Sequence, residues 1–182
     1  MWFNQMELIY SIDLIDLSYW LNAYPPARQN RKERMISQKA KYALRALIAL
    51  AQAAPEEPTL ISDIADQQDI PRKFLEQILL DLKHRGLVMS RRGKAGGYLL
   101  LRPPEEITFG EVLRLIDGPL APLPCLSKTA YHRCADCKSE KDCHIRRVFA
   151  DVADATRTVL DRATIADAIS GHSATRIVFE LN

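Results

Sequence analysis

Long apolar runs are missing from this 182-residue chain, and with them any stretch of about 20 apolar residues that could cross a membrane as a helix. A secretion signal is also missing, because the opening twenty residues are interrupted by Glu7, Asp13 and Asp16 where an unbroken apolar segment would be needed. The chain is therefore expected in the cytoplasm, with no membrane partner. Cysteine is absent from the first 124 residues, and all four, Cys125, Cys134, Cys137 and Cys143, fall within the nineteen that begin at Cys125. In a reducing compartment such a cluster points to metal or redox chemistry and away from structural disulfides. Neither an internal repeat nor a low-complexity tract is found. A large charge excess is lacking too: the formal net charge is only +2, which by itself marks no polyanionic partner. With 47% apolar and 26% charged residues, the composition is that of a soluble globular protein. The length suits one modest domain plus a dimerisation or sensing element and excludes two full enzyme domains.

Periodicity organises what is present. Residues 1–34 share no pattern with the rest and are expected to be a tail or a misassigned upstream extension; the rival expectation is an ordered arm built on Leu8, Ile9, Ile12, Leu14 and Ile15. A regular domain opens at Met35. Ala43, Ala46, Leu47, Leu50 and Ala51 recur at spacings of three and four, which predicts a first helix across 37–53. A short second helix follows on Leu60, Ile61, Ile64 and Ala65. Pro71 then introduces a third, with Phe74, Leu75, Ile78, Leu79 and Leu82 as its buried stripe and Gly86 as its stop. Two short strands across 87–91 and 98–101 flank a Gly-rich turn, predicting a hairpin. The spacing of Thr108 and Glu111 matches a capping box for a fourth helix that ends at Gly118. After the cysteines, Ile145, Val148, Phe149, Val152, Thr156, Val159 and Leu160 form an apolar seam on a long helix. The reading is a mainly α chain: a winged helix-turn-helix domain at 35–118 with a small β-hairpin wing, a cysteine-rich sensor loop at 119–144, a dimerisation helix at 145–169 and a tail at 170–182.

The charge that is scarce overall is concentrated in one place. Residues 71–102 hold eight Lys or Arg against two acids, a surplus of six positive charges, and leave the remainder net acidic. If the apolar stripe of the third helix faces the core, Arg72, Lys73, Glu76 and Gln77 face outward near its N-terminal end, the end that recognition helices present to the major groove. A glutamine amide pairs with adenine and a glutamate accepts from the cytosine amine, so Glu76 and Gln77 are candidate base readers. Arg91, Arg92 and Lys94 sit at a narrow Gly-rich tip able to approach phosphates or enter a minor groove. A nucleotide-binding loop does not account for this tip: it lacks the Walker spacing, has no Ser or Thr after Lys94 and lies between strands. The partner implied is double-stranded DNA, read as a pseudo-palindrome by a homodimer.

These residues carry a resemblance. Ile64-Ala65, Ile70-Pro71, the run Phe74-Leu75-Glu76-Gln77-Ile78-Leu79, Gly86-Leu87-Val88, Ser90-Arg91-Arg92-Gly93 and Gly96-Gly97-Tyr98 together resemble the Rrf2 family of transcriptional regulators over residues 35–169. The resemblance implies a sequence-specific DNA-binding regulator, expected to be a repressor, in which Glu76 and Gln77 read bases and Arg92 enters the minor groove. It also implies that the long helix after the cysteines crosses its counterpart in a second subunit. Lys73 stands where relatives carry a small polar residue.

The cysteine spacing alone leaves three chemistries open: an iron-sulfur cluster, a four-thiolate zinc and a metal-free thiol switch. Only Cys134 and Cys137 form a Cys-x-x-Cys pair, where zinc sites often use two. A thioredoxin-like enzyme would need a strand-helix-strand context that the helical flanks do not supply. Resemblance favours a cluster, [2Fe-2S] or [4Fe-4S], sensing iron, redox state or nitric oxide, since family members hold one in this loop. Those members use three cysteines and a further ligand; here four are present, and Lys41 occupies the position where nitric-oxide sensors place an aspartate. Either all four cysteines bind, or one is spare and His132, His144 or a partner residue substitutes.

Overall fold

The computed structural model describes residues 36–54, 57–93 and 96–171. The expectations for residues 1–34, for Lys94 and for most of the tail at 170–182 lie outside them.

Helix α1 (Gln38–Gln52) is the hub. Its buried face is built from Ala40, Ala43, Leu44, Ala46, Leu47, Ala49 and Leu50. Four alanines among these seven let neighbouring helices approach the backbone closely. Ser37 caps the helix, its hydroxyl accepting from the Ala40 N–H at 3.0 Å, and the Ser37 N–H donates to the Asp117 carboxylate at 2.8 Å. Helix α2 (Ile61–Gln68) ends in a Schellman-type turn, with Asp69 left-handed at φ 49° and the Ile70 N–H on the Ala65 carbonyl. Pro71 follows at once as the residue before α3 (Arg72–His84), and this tight turn is the helix-turn-helix. Helix α3 ends in the same way: Gly86, at φ 71°, sends its N–H to Lys83, and Leu87 sends its own to Leu82. Leu75, Ile78, Leu79 and Leu82 are buried as expected, whereas Phe74 is 38% exposed. Phe74 belongs to the first turn, where it packs edge-on against Tyr42 with ring centroids 5.8 Å apart and does not enter the core.

Strands β1 (Val88–Arg91) and β2 (Gly97–Leu100) pair antiparallel, Val88 with Leu100 and Arg91 with Gly97. Tyr98 also exchanges both backbone hydrogen bonds with Thr59, which anchors the hairpin to the loop before α2. Gly97 permits that approach: a Cβ there would lie 2.5 Å from the Thr59 carbonyl oxygen.

After a 3-10 turn (Pro104–Glu106), helix α4 (Phe109–Asp117) starts with Thr108 accepting from the Glu111 N–H at 3.1 Å and ends at Gly118. Only half of the expected capping box forms, because the Glu111 carboxylate turns to Arg102, whose terminal nitrogen lies 2.7 Å from both oxygens. A second 3-10 turn (Pro124–Leu126) opens the cysteine segment. Helix α5 (His144–Arg162) then returns to pack its C-terminal half on α4, where Gly110 is so close to Leu160 and Asp161 that any side chain would collide. The single helix expected over 145–169 is in fact two. Thr164 and Asp167 form a full capping box that starts α6 (Ile165–Ser170), and backbone bonds from Phe109 to Ala163 and from Ile165 to Ile107 hold the break in place. No described helix is long and apolar enough to cross a membrane.

Candidate nucleic-acid interface and cysteine pocket

At the N-terminal end of α3, Arg72, Lys73, Glu76 and Gln77 are all exposed, as the stripe argument requires. They are not loose. Arg72 Nε stands 3.5 Å from Glu76 Oε1 one turn away. Gln77 Nε2 donates to Asp81 Oδ1 at 3.3 Å, and Asp81 is paired with Lys39 on α1 at 2.7 Å. The hydrogen bond from Lys39 holds the Asp81 carboxyl below its ordinary range. Lys83 Nζ reaches Ser90 Oγ at 2.6 Å, so α3 and the hairpin share a direct tie. Sequence reasoning missed Lys39, Asp81 and Lys83 as supports. The i,i+4 spacing of Gln77 and Asp81 was the one signal available. In the wing, Arg91 closes the strand register and Arg92 lies just beyond it, both exposed. Between wing and helix the surface carries separated cations on a rigid frame, which suits phosphate contact on either side of a groove.

The cysteines meet. Cys125 is buried in the second 3-10 turn, Cys134 and Cys137 share a turn closed by the Cys137 N–H on the Cys134 carbonyl, and Cys143 caps α5 by accepting the Arg146 N–H at 3.4 Å. All four line one cavity of about 500 Å³, together with Asp136, Lys138, His144 and Arg146. Loss of solvent around Cys134, followed by its hydrogen bond with Cys125 and the charges of Cys125, Cys137 and Asp136, pushes the Cys134 thiol above its ordinary pKa. Among the described residues no three of Cys, His, Asp and Glu already converge on the distances of a single metal ion. His144 is exposed on the rim of the cavity, while His132 and Lys41 are exposed elsewhere.

The loop around the thiols is clamped by charge. The Arg133 guanidinium donates to the carbonyls of Cys137 and Lys138 at 2.8 and 2.7 Å. Tyr131 donates to Glu140 Oε1 at 2.6 Å, a bond that raises the tyrosine pKa, and Glu140 Oε2 stands 3.7 Å from Arg146 Nε. Immediately past this site, α5 presents Ile145, Val148, Phe149 and Val152 with exposures of 62, 64, 39 and 47%. The N-terminal half of the apolar seam is thus open, and its C-terminal half, through Leu160, joins the core.

Residues 36–171 match the family described as "Rrf2: Iron-dependent Transcriptional regulator". A putative HTH-type transcriptional regulator, rrf2-like, of Rhodobacter capsulatus is 46% identical over 149 residues, which cover 79% of this chain and 99% of that one. Among solved structures, CymR, the global cysteine regulator of Bacillus subtilis, superposes with a TM-score of 0.63 at 33% identity, covering 76% of this chain and 98% of CymR. IscR of T. potens superposes with a TM-score of 0.57 at 28% identity, covering 78% and 90%.

Proposed function

Because the chain belongs to the Rrf2 family of winged helix-turn-helix transcriptional regulators, which are not enzymes, we propose that it represses its targets as a DNA-bound homodimer whose operator affinity is set by an iron-sulfur cluster in the cysteine pocket. One observation carries the reading. The cavity lined by all four thiols is walled by the first turn of α5, and the same helix exposes the apolar seam suited to a second subunit. A change at the thiols therefore acts on the element that fixes the distance between two half-sites.

The residues fit such a group. Cys125, Cys134, Cys137 and Cys143 supply four thiolates, and a buried N–H of Arg146 on the same cavity wall has no acceptor of its own. A zinc ion needs its sulfurs at about 2.3 Å from one point. The single Cys-x-x-Cys pair, where zinc sites often use two, and the cavity of about 500 Å³ that all four thiols line favour a larger group that distributes its ligands over several irons. When bound, the cluster supplies a redox-responsive and iron-responsive centre. Glu76 and Gln77 read base edges, Arg72 and Lys73 contact the backbone beside them, and Arg91, Arg92 and Lys94 bring the wing to the neighbouring phosphates or minor groove.

Visible absorption, iron and sulfide content of protein purified without oxygen test the cofactor. A brown protein with sulfide and iron bound, both lost in Cys137→Ala, is the expected result. Colourless protein that still binds its operator supports a second reading, a metal-free thiol switch, which four free cysteines lining one cavity favour.

A further inference from the structure

Two buried side-chain nitrogens in the described residues lack a hydrogen-bond partner, Arg102 Nε and Arg146 Nε. The first belongs to a guanidinium whose terminal nitrogen holds both Glu111 oxygens at 2.7 Å and which does not line the thiol cavity. No comparable partner serves Arg146. Its nearest carboxylate oxygen, Glu140 Oε2, is 3.7 Å from Nε, within ion-pair range but too far for a hydrogen bond, and the other Glu140 oxygen is occupied by Tyr131. A sealed N–H donor is costly to leave unmade and calls for an acceptor. The wall that Arg146 lines belongs to the cavity of the four thiols.

We infer that Arg146 is a tuning residue of this site: its guanidinium donates a hydrogen bond and positive charge to the sulfur-rich anionic group that the four cysteines hold, with Glu140 as the opposing carboxylate. The inference rests on the cluster reading above. Thiolate and sulfide sulfurs accept hydrogen bonds and carry net negative charge, which is the chemistry the unpaired donor lacks. Adding an electron makes that group more negative, so a nearby cation stabilises the reduced form and raises the reduction potential. The other charged residues on the wall, Asp136, Lys138, Asp142 and His144, are exposed; the Arg146 side chain is itself 35% exposed, but its Nε is sealed from water. Arg146 is also fixed at its backbone, whose N–H already bonds Cys143 Sγ. The residue whose backbone bonds one of the thiols thus also lines the cavity that all four share.

The test uses the full chain loaded with iron and sulfide without oxygen, with iron per chain and the midpoint potential as readouts. Arg146→Gln should retain iron and lower the potential by at least 59 mV, a tenfold change in the equilibrium constant of a one-electron couple. Arg146→Lys should recover part of that shift by restoring the charge without the planar fork. Glu140→Gln should move the potential the opposite way, which a merely structural role would not produce. Lys138→Gln, an exposed charge on the same wall, should move it far less. If Arg146→Gln fails to hold iron, Glu140→Gln still decides, since it leaves every cysteine and Arg146 in place. Loaded proteins with equal potentials, or a Lys138→Gln shift as large as that of Arg146→Gln, overturn the inference alone. A wild-type chain that takes up neither iron nor sulfide overturns the cluster reading and this inference with it.

Discussion

Gln77 is held by Asp81, and Asp81 by Lys39, so a side chain proposed to read bases stands already oriented at the end of a three-residue string. One amide hydrogen is used by the carboxylate, and the other hydrogen and the oxygen remain for a base edge. Asp81→Ala is expected to blunt sequence preference at the base pair Gln77 reads, by part of the roughly 1–3 kcal/mol that a good bidentate contact supplies. Replacing Glu76 and Gln77 together should flatten preference further while salt-dependent, non-specific binding persists, whereas Arg92→Ala should reduce the salt slope by about one. Binding to a randomised operator library checks both, and an unchanged preference in the double mutant contradicts the assignment. The Lys39 pair also has a pH signature. The folded Asp81 value lies below its ordinary 3.8, so the stabilisation is present above that pH and is lost as pH falls through the folded value. Lys39→Ala should therefore cost roughly 0.2–1 kcal/mol in neutral denaturant titrations and nothing once Asp81 is protonated. At the cysteines, the raised Cys134 pKa means less thiolate at a given pH. In metal-free protein Cys134 should alkylate more slowly at pH 8 than an unstructured cysteinyl peptide; equal rates would contradict the pocket described for it.

Helix α5 divides into two halves with different tasks. Its C-terminal half lies on α4 through the glycine contact at Gly110, where a Cβ would run into an Asp161 oxygen that also holds Arg114 at 2.6 Å. Gly110→Ala gains helix propensity of about 1 kcal/mol. The Asp161 carboxylate must swing away and release Arg114, and the Leu160 carbonyl at 3.1 Å must give slightly, so that gain should be cancelled or reversed. A thermal midpoint raised by the full propensity gain would contradict the close approach at Gly110. The N-terminal half leaves Ile145, Val148 and Val152 exposed, the face proposed above for a second subunit. Val148→Asp is expected to give folded monomer in sedimentation velocity, with helical circular dichroism unchanged, because Val148 is exposed within one subunit. These elements also show what the sequence made legible. Repeated apolar spacing located α1, α2 and α3 because each buries one side against a single core, while a Gly-rich turn marked the hairpin and the spacing of Thr108 and Glu111 marked α4. Apolar spacing misassigned Phe74, whose fate depends on Tyr42 thirty-two positions earlier, and it ran through the break before Ile165 because that residue keeps the apolar rhythm. The Thr164 and Asp167 capping pair was the local sign of the break. Glu111 was read as a local cap and instead serves a pair nine residues away. The cysteine cluster was legible from composition, but the clamps by Arg133, Glu140 and Arg146 were not, since backbone carbonyls and cavity walls leave no mark in spacing.

At the scale of the molecule, the proposed reading couples two surfaces through one helix. Helix α3 and the hairpin are joined by Lys83 and Ser90 and tied to α1 and to the loop before α2 by Lys39 and Thr59. The cysteine pocket, in contrast, stands on a loop between α4 and α5 whose order comes from a few charged clamps and from whatever the thiols hold. Holding or releasing that group can turn α5 against its counterpart and change the spacing of two recognition helices, but only if the two arrangements bind it with different affinity. The most direct measurement is operator affinity at one salt concentration, without oxygen, for the cluster-loaded protein, the same protein after iron removal, and Cys143→Ala. The account predicts that the last two agree with each other and differ from the first by at least tenfold, all three remaining dimers. Equal affinity in all three would contradict it and leave a DNA-binding protein whose cysteines do not govern its grip on DNA.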